Sequence, residues 1–156
     1  MKILFVCTGN SCRSVMAEWI LRHLLQKKGK NNVQVLSAGT NAFPGMAPTL
    51  ETVDVLQEFG VDASGHLSRA LSPELVDQAD AIFCMEDFHR DQILALQPEA
   101  AEKVHLLRTF RNTTPIPNPN IPDPIGRPKS VYQACLLTIQ EGVQRVLEWL
   151  EKEVVG

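Results

Sequence analysis

The chain has 156 residues, is 44% hydrophobic and 21% charged, and carries a formal net charge of −3. That length fits one domain spanning 1–156 with a real core, the composition excludes intrinsic disorder, and the charge gives no support to nucleic acid as a partner. No apolar run approaches the roughly 20 residues needed to cross a bilayer, so no membrane partner is expected.

The apolar segment at the N-terminus, ILFV, is too short for a signal peptide and runs straight into CTGNSCRS, which points to a cytoplasmic chain. In that compartment Cys7, Cys12, Cys84 and Cys135 should be mostly reduced. They lack a CxxC pair or a histidine at ligand spacing, so no metal site is expected.

In chain order, Lys2–Val6 is an apolar run bounded by Thr8-Gly9-Asn10 and predicts a buried strand. A helix follows from Ser14 to about Lys28, with Met16, Trp19, Ile20 and Leu24 at helical spacing and Gly29 as its stop. Val33–Ser37 predicts a second strand and Ala38–Ala47 a loop. Pro48 opens a helix that runs through Phe59 to Gly60. Ser72-Pro73-Glu74 starts a short helix, and Ala81–Met85 predicts a third strand. A helix from Asp87 to Leu96 and a fourth strand at Lys103–Leu107 follow. Arg108–Pro128 is long, proline-rich and irregular, and loops of that length in compact domains are usually functional or disordered. A last long helix carries Val131, Cys135, Ile139, Val143, Val146, Leu147 and Leu150 on one face.

Four apolar strands alternating with helices imply a single doubly wound α/β domain: a four-stranded parallel sheet with helices on both faces. In such sheets ligands bind beyond the carboxyl ends of the strands. CTGNSCR stands at such a place. Glycine lets the backbone curl so that successive N–H groups form an anion nest, and the helix adds its positive end. Arg13 adds a planar fork able to hold two oxygens of a phosphate-like group. The loop is not a Walker A motif, which needs GxxxxGK[ST]. At its base is Cys7, and a helix N-terminus beside a guanidinium favours the thiolate over the thiol. A thiolate facing a bound phosphorus atom implies nucleophilic attack and a phosphocysteine intermediate.

V-C-x-G-N-x-C-R-S at the start of a chain this long resembles the low-molecular-weight protein tyrosine phosphatases, and the resemblance covers the whole chain. It implies Cys7 as nucleophile, the backbone from Thr8 through Gly9, Asn10, Ser11 and Cys12 to Arg13 as phosphate loop, and the Arg13 side chain as phosphoryl ligand. It implies that Ser14 donates a hydrogen bond to the thiolate, and that Asn10, Ser37 and His66 form a network holding the loop in shape. A phosphorylated protein is the implied substrate. No metal or cofactor is required, because Arg13, the nest and the helix end supply the positive charge.

Thiolate attack also needs an acid to protonate the leaving group, and that acid's carboxylate can then activate water. Asp123, in IPDPIGR within the long irregular segment, is the candidate. The family places its general acid in an Asp-Pro pair at this position. Cys12, five residues beyond Cys7, resembles a partner that caps the nucleophile as a reversible disulfide, and it equally suits a small residue packed under the loop. Cys84 and Cys135 read as core residues, while His23, His89 and His105 receive no role.

The tyrosine-directed members usually carry aromatic residues directly after the Asp-Pro pair, and here Ile125-Gly126 stands there. Phe43 remains as an aromatic lip for the substrate, with Tyr132 as a second choice. The tyrosine enzymes also carry an aliphatic residue at the position of Ser11. A polar residue there resembles the branch that hydrolyses phosphoarginine, so phosphotyrosine and phosphoarginine stay level as substrates. Two other readings compete. A thioredoxin-coupled arsenate reductase opens with the same motif but needs two further cysteines close together. A non-catalytic phosphopeptide-binding module would use Arg13 and the nest but has no need of Cys7 and Asp123 together.

Overall fold

The computed structural model describes residues 1–154. Its strands are β1 (Lys2–Cys7), β2 (Gln34–Gly39), β3 (Ala81–Cys84) and β4 (Val104–Leu106). All pair in parallel, in the order β2-β1-β3-β4. β1 is buried on both sides from Ile3 onward. Its pleat sends Ile3, Phe5 and Cys7 into one core and Leu4 and Val6 into the other.

The first core is closed by α1 (Arg13–Lys27) and α2 (Leu50–Glu58), through residues such as Met16, Ile20 and Leu56. The opposite core is closed by α3 (Pro73–Gln78) and α4 (Asp87–Leu96), through Val76 and Ile93. The long α5 (Lys129–Trp149) returns to the first face and packs against both α1 and α2. Its buried stripe includes Cys135, Ile139, Val143, Val146 and Leu147, as the periodicity predicts. No helix among the described residues is long and apolar enough to cross a membrane.

The differences from the predicted elements have local causes. α2 begins at Leu50, not Pro48, because Thr49 takes the capping position and its hydroxyl accepts the Thr52 N–H at 3.3 Å. β2 extends past Ser37 to Gly39, because Ala38 and Gly39 stay in register with Val6 and Cys7. A 3-10 turn over Pro98–Lys103, for which the sequence pattern gave no element, precedes β4. Arg108–Pro128 holds no helix or strand, as expected.

The strand order creates the crevice. From β1 the chain moves outward to β2, then returns across β1 to lay β3 on its other side. The carboxyl ends of β1 and β3 therefore stand side by side at the point where the winding reverses, the place where open α/β sheets bind ligands. Ile121 donates its N–H to the Met85 carbonyl at 2.8 Å, which draws the long irregular segment to the same end of the sheet.

Candidate active site

Cys7 is the last residue of β1 and α1 begins at Arg13, so the loop between them is a short curl. Asn10 lies at its crest with φ of 53°. A non-glycine residue in that region costs about 1 kcal/mol or more unless its surroundings hold it, and asparagine tolerates it best. Here the surroundings hold it from four sides. Its Nδ2 donates to Ser14 Oγ and Ser37 Oγ, each at 2.8 Å, and its Oδ1 accepts from the Arg69 N–H at 2.9 Å and from His66 Nε2 at 3.2 Å. The amides of Gly9, Asn10, Ser11 and Cys12 enter no main-chain hydrogen bond among the described residues. They remain donors for a ligand, as an anion nest requires.

Proton bookkeeping along this network gives each group its direction. Trp19 Nε1–H can only donate, and it donates to His66 Nδ1 at 3.2 Å, so the ring's hydrogen is on Nε2 and points to Asn10. Burial lowers the His66 pKa and keeps the ring neutral. Ser37 accepts from Asn10 and donates to Glu18 Oε1 at 2.6 Å. Burial raises the Glu18 pKa, which the Ser37 hydroxyl and Arg22 partly offset. Ser14 accepts from Asn10, which leaves its own O–H to point at Cys7 Sγ, 2.9 Å away.

The base of the loop leaves no room beneath it. Thr40 N–H donates to the Cys7 carbonyl and Asn41 N–H to the Thr8 carbonyl, each at 2.9 Å. A Cβ on Gly39 would fall 2.4 Å from the Thr8 carbonyl oxygen and 2.9 Å from the Asn10 nitrogen. Both obstacles are backbone and cannot swing aside. Gly39→Ala is therefore expected to destabilise the fold by about 1–3 kcal/mol, read as a melting temperature lowered by about 5 °C. An unchanged melting curve would show that the loop yields.

Arg13 is only 1% exposed. Its Nη1 donates to Glu86 Oε2 and to the Ile121 carbonyl, both at 2.7 Å, and its Nη2 lies 3.6 Å from Asp123 Oδ2. Burial alone works against its charge, but Cys7, Glu86 and Asp123 together outweigh that and hold its pKa above the usual value. Three chain segments thus meet on one guanidinium: the first turn of α1, the end of β3 and the long irregular loop. Asp123 is partly exposed, and one of its oxygens accepts the Ile125 N–H at 3.1 Å.

Two residues at the start of α4 complete the enclosure. Glu86 N–H donates to His89 Nδ1 at 3.1 Å, so His89 Nε2 carries the hydrogen and donates it to Thr8 Oγ1 at 2.8 Å. His89 is fully buried. Burial first and Arg13 second push its pKa down to about 4, so the ring is neutral near pH 7. The sequence offered no role for this histidine. The signal for both residues was positional, since they directly follow a strand end that borders the crevice, and it becomes readable only once β3 is known to pair with β1.

The structure brings Cys7, Arg13, Ser14, Asn10, Ser37, His66 and Asp123 into one connected cluster. Cys12 is buried under the loop as a free thiol, 3.6 Å from Thr49 Oγ1 and 3.7 Å from the Tyr132 hydroxyl. Phe43 is 77% exposed, on the loop that Thr40 and Asn41 tie to Cys7 and Thr8. Tyr132 corrects the sequence expectation: it is 1% exposed, so it is no substrate lip. α5 turns it inward against Cys12. Cys84 and Cys135 are core residues whose thiol pKa burial pushes up to about 12. Cys84 packs in the opposite core from Cys7 and Cys12.

The chain is similar to known phosphatases over almost its whole length. The family model described as low molecular weight phosphotyrosine protein phosphatase matches residues 2–155. A protein-arginine-phosphatase of Geobacillus stearothermophilus is 38% identical over 97% of both chains. The low molecular weight protein-tyrosine-phosphatase Etp of Escherichia coli (strain K12) is 36% identical over 96% of this chain and 93% of its own. Among solved structures, a cysteine-to-serine mutant of YwlE arginine phosphatase with a phosphorylated active-site serine superposes with a TM-score of 0.90 at 30% identity, covering 99% of each chain.

Proposed function

The chain belongs to the low-molecular-weight phosphotyrosine protein phosphatase family, and from that premise we propose that it removes the phosphoryl group from phosphoarginine in proteins through a phosphocysteine intermediate. The Cys7 thiolate attacks phosphorus and the bond to the leaving group breaks. Asp123 gives its proton to the departing nitrogen, or to oxygen in a phosphate ester. Asp123, now a carboxylate, takes a proton from water as that water attacks the phosphocysteine. Inorganic phosphate leaves and the Cys7 thiolate is restored.

Arg13 and the free amides of the loop carry the charge that develops on the phosphoryl oxygens. Nη1 of Arg13 is held by Glu86 and Ile121, so its remaining N–H groups serve the ligand from a fixed position and need no reorganisation during the reaction. The hydroxyl of Ser14 stabilises the thiolate both as it forms and as it is expelled from phosphorus. The reductase reading lacks its electron relay, because Cys84 is separated from Cys7 by the sheet. A binding module would have no use for a thiol and a carboxylate that both act on one buried guanidinium.

The observation that favours phosphoarginine is the lack of an aromatic wall directly after the Asp-Pro pair, where Ile125-Gly126 stands. With Tyr132 buried and Ile125-Gly126 after the Asp-Pro pair, Phe43 is the one aromatic lip left from the sequence reading. A phenyl ring gains most from being sandwiched, whereas a guanidinium needs polar and anionic neighbours such as Ser11 and Asp123. The arginine phosphatases among the similar proteins support the same reading. Matched phosphoarginine and phosphotyrosine peptides test it directly: the expected result is the higher kcat/KM on phosphoarginine. A clear preference for phosphotyrosine would assign Phe43 the task of holding the ring from one side.

His89 enters this scheme as a positioning residue for Thr8. His89→Leu removes a buried donor to the loop and is expected to lower kcat/KM about tenfold, the kinetic equivalent of one hydrogen bond of about 1.4 kcal/mol. His89→Gln, which can still donate, is expected to recover part of that loss. Wild-type kinetics in His89→Leu would remove the histidine from the mechanism.

A further inference from the structure

Large apolar side chains exposed to water are unevenly placed on this molecule. Nine stand out among the described residues, and six of them, Phe43, Met46, Leu50, Leu67, Phe88 and Ile125, lie on segments attached to the phosphate loop. Each attachment is specific. The loop bearing Phe43 is tied through Thr40 and Asn41 to Cys7 and Thr8, and Leu50 follows Thr49, whose N–H donates to the Ser11 carbonyl at 3.2 Å. Phe88 precedes His89, which holds Thr8. Ile125 follows Asp123 by two residues and is hydrogen-bonded to it. Met46 and Leu67 stand on two strands of chain laced together at Ser68, which exchanges hydrogen bonds with the Met46 backbone. Neighbouring His66 reaches Asn10.

Catalysis on the phosphoryl group accounts for none of Met46, Leu50, Leu67 or Phe88. Leu50 is 79% exposed at the first position of a helix, where a polar residue would serve the fold equally well. Exposed apolar patches of this kind, gathered around a polar centre, mark interaction surfaces. Their position decides the occupant. A protein whose phosphorylated side chain reaches Cys7 must lay its neighbouring residues across the same segments that hold the loop. An anionic lipid surface fits poorly, because the chain carries a net charge of −3 and Glu51 and Asp87 directly adjoin Leu50 and Phe88 in sequence.

We propose that this rim binds the residues flanking the phosphorylated side chain, and that it selects phosphosites set among large apolar residues over phosphosites set among small polar or acidic ones. The inference rests on the phosphatase reading above and narrows its substrate class. One well-seated apolar side chain is worth about tenfold in kcat/KM, and two flanking residues give room for more.

The test uses the full chain and pairs of phosphopeptides, one pair with phosphoarginine and one with phosphotyrosine. Within each pair the flanks are Leu and Phe, or Ser and Gly. The expected result is at least a tenfold higher kcat/KM for the apolar member, and a ratio that falls toward one in Leu50→Ser and Phe88→Ser. p-Nitrophenyl phosphate, which has no flanks, separates the two claims. Turnover of that ester by the wild-type chain with equal rates on both members of a pair overturns this inference and leaves the phosphatase reading standing. No turnover of any phosphate compound overturns both. A concentration-dependent dimer in sedimentation that Leu50→Ser dissolves would assign the rim to a second copy of the chain, and would also overturn it.

Discussion

Cys7→Ser is expected to lower kcat on p-nitrophenyl phosphate by about four orders of magnitude or more, while the protein still melts cooperatively and still gains stability from inorganic phosphate. The argument is one of chemistry at constant shape. Serine is close to cysteine in size, and the site holds Cys7 Sγ only 2.9 Å from Ser14 Oγ, so the substituted hydroxyl keeps a hydrogen-bond partner. What disappears is the thiolate: a serine hydroxyl is a far weaker nucleophile and alkoxide a far poorer leaving group, so a serine that does take up a phosphoryl group, as in the YwlE mutant, does not turn over at the wild-type rate. His89 is turned toward Thr8 and His66 toward Asn10, so neither imidazole is free to take the serine proton. The amides of the loop and Arg13 are untouched and should still bind the dianion. Phosphate-induced stabilisation without turnover would therefore separate binding from chemistry. Activity within tenfold of the wild type would place the nucleophile elsewhere and remove the mechanism.

Asp123→Asn is expected to lower kcat by about 10²–10⁴-fold, with the larger losses on substrates whose leaving group most needs a proton. The fold should tolerate the change, because the Asp123 side chain is 40% exposed and its contact with Arg13 Nη2 is a long 3.6 Å. Arg13 keeps Glu86 and the Ile121 carbonyl on its other nitrogen. A variant that loses equal factors on good and poor leaving groups would assign Asp123 a positional role and leave the acid to be found.

Much of this was legible in the residues. The alternation of four apolar runs with amphipathic helices implies a parallel α/β sheet, since only strands buried on both faces are apolar throughout. The curl Cys7–Arg13 was legible because its chemistry is local: glycine, cysteine and arginine at fixed offsets between a strand and a helix leave few other uses. Asp123 stood out by default, as a carboxylate stiffened between prolines in a segment too long to be a mere connection.

Other features depended on which strand lies beside which. No periodicity reveals that β3 returns to pair with β1, and that pairing brings Glu86 to Arg13 and His89 to Thr8. Tyr132 shows the same limit from the other direction. Its place near the start of a helix allows either a surface or a buried side chain, and the packing of α5 over the loop turned it against Cys12. The exposed rim of Met46, Leu50, Leu67 and Phe88 is also a tertiary fact, because apolar residues scattered along a sequence predict a core until the fold shows which of them it leaves outside. The sequence by itself determined the architecture and marked out the proposed reacting groups, which depend on neighbours a few residues apart. The tertiary structure decided what holds those groups in place and what surrounds them, because contacts between distant segments form only when the whole chain has closed its two cores.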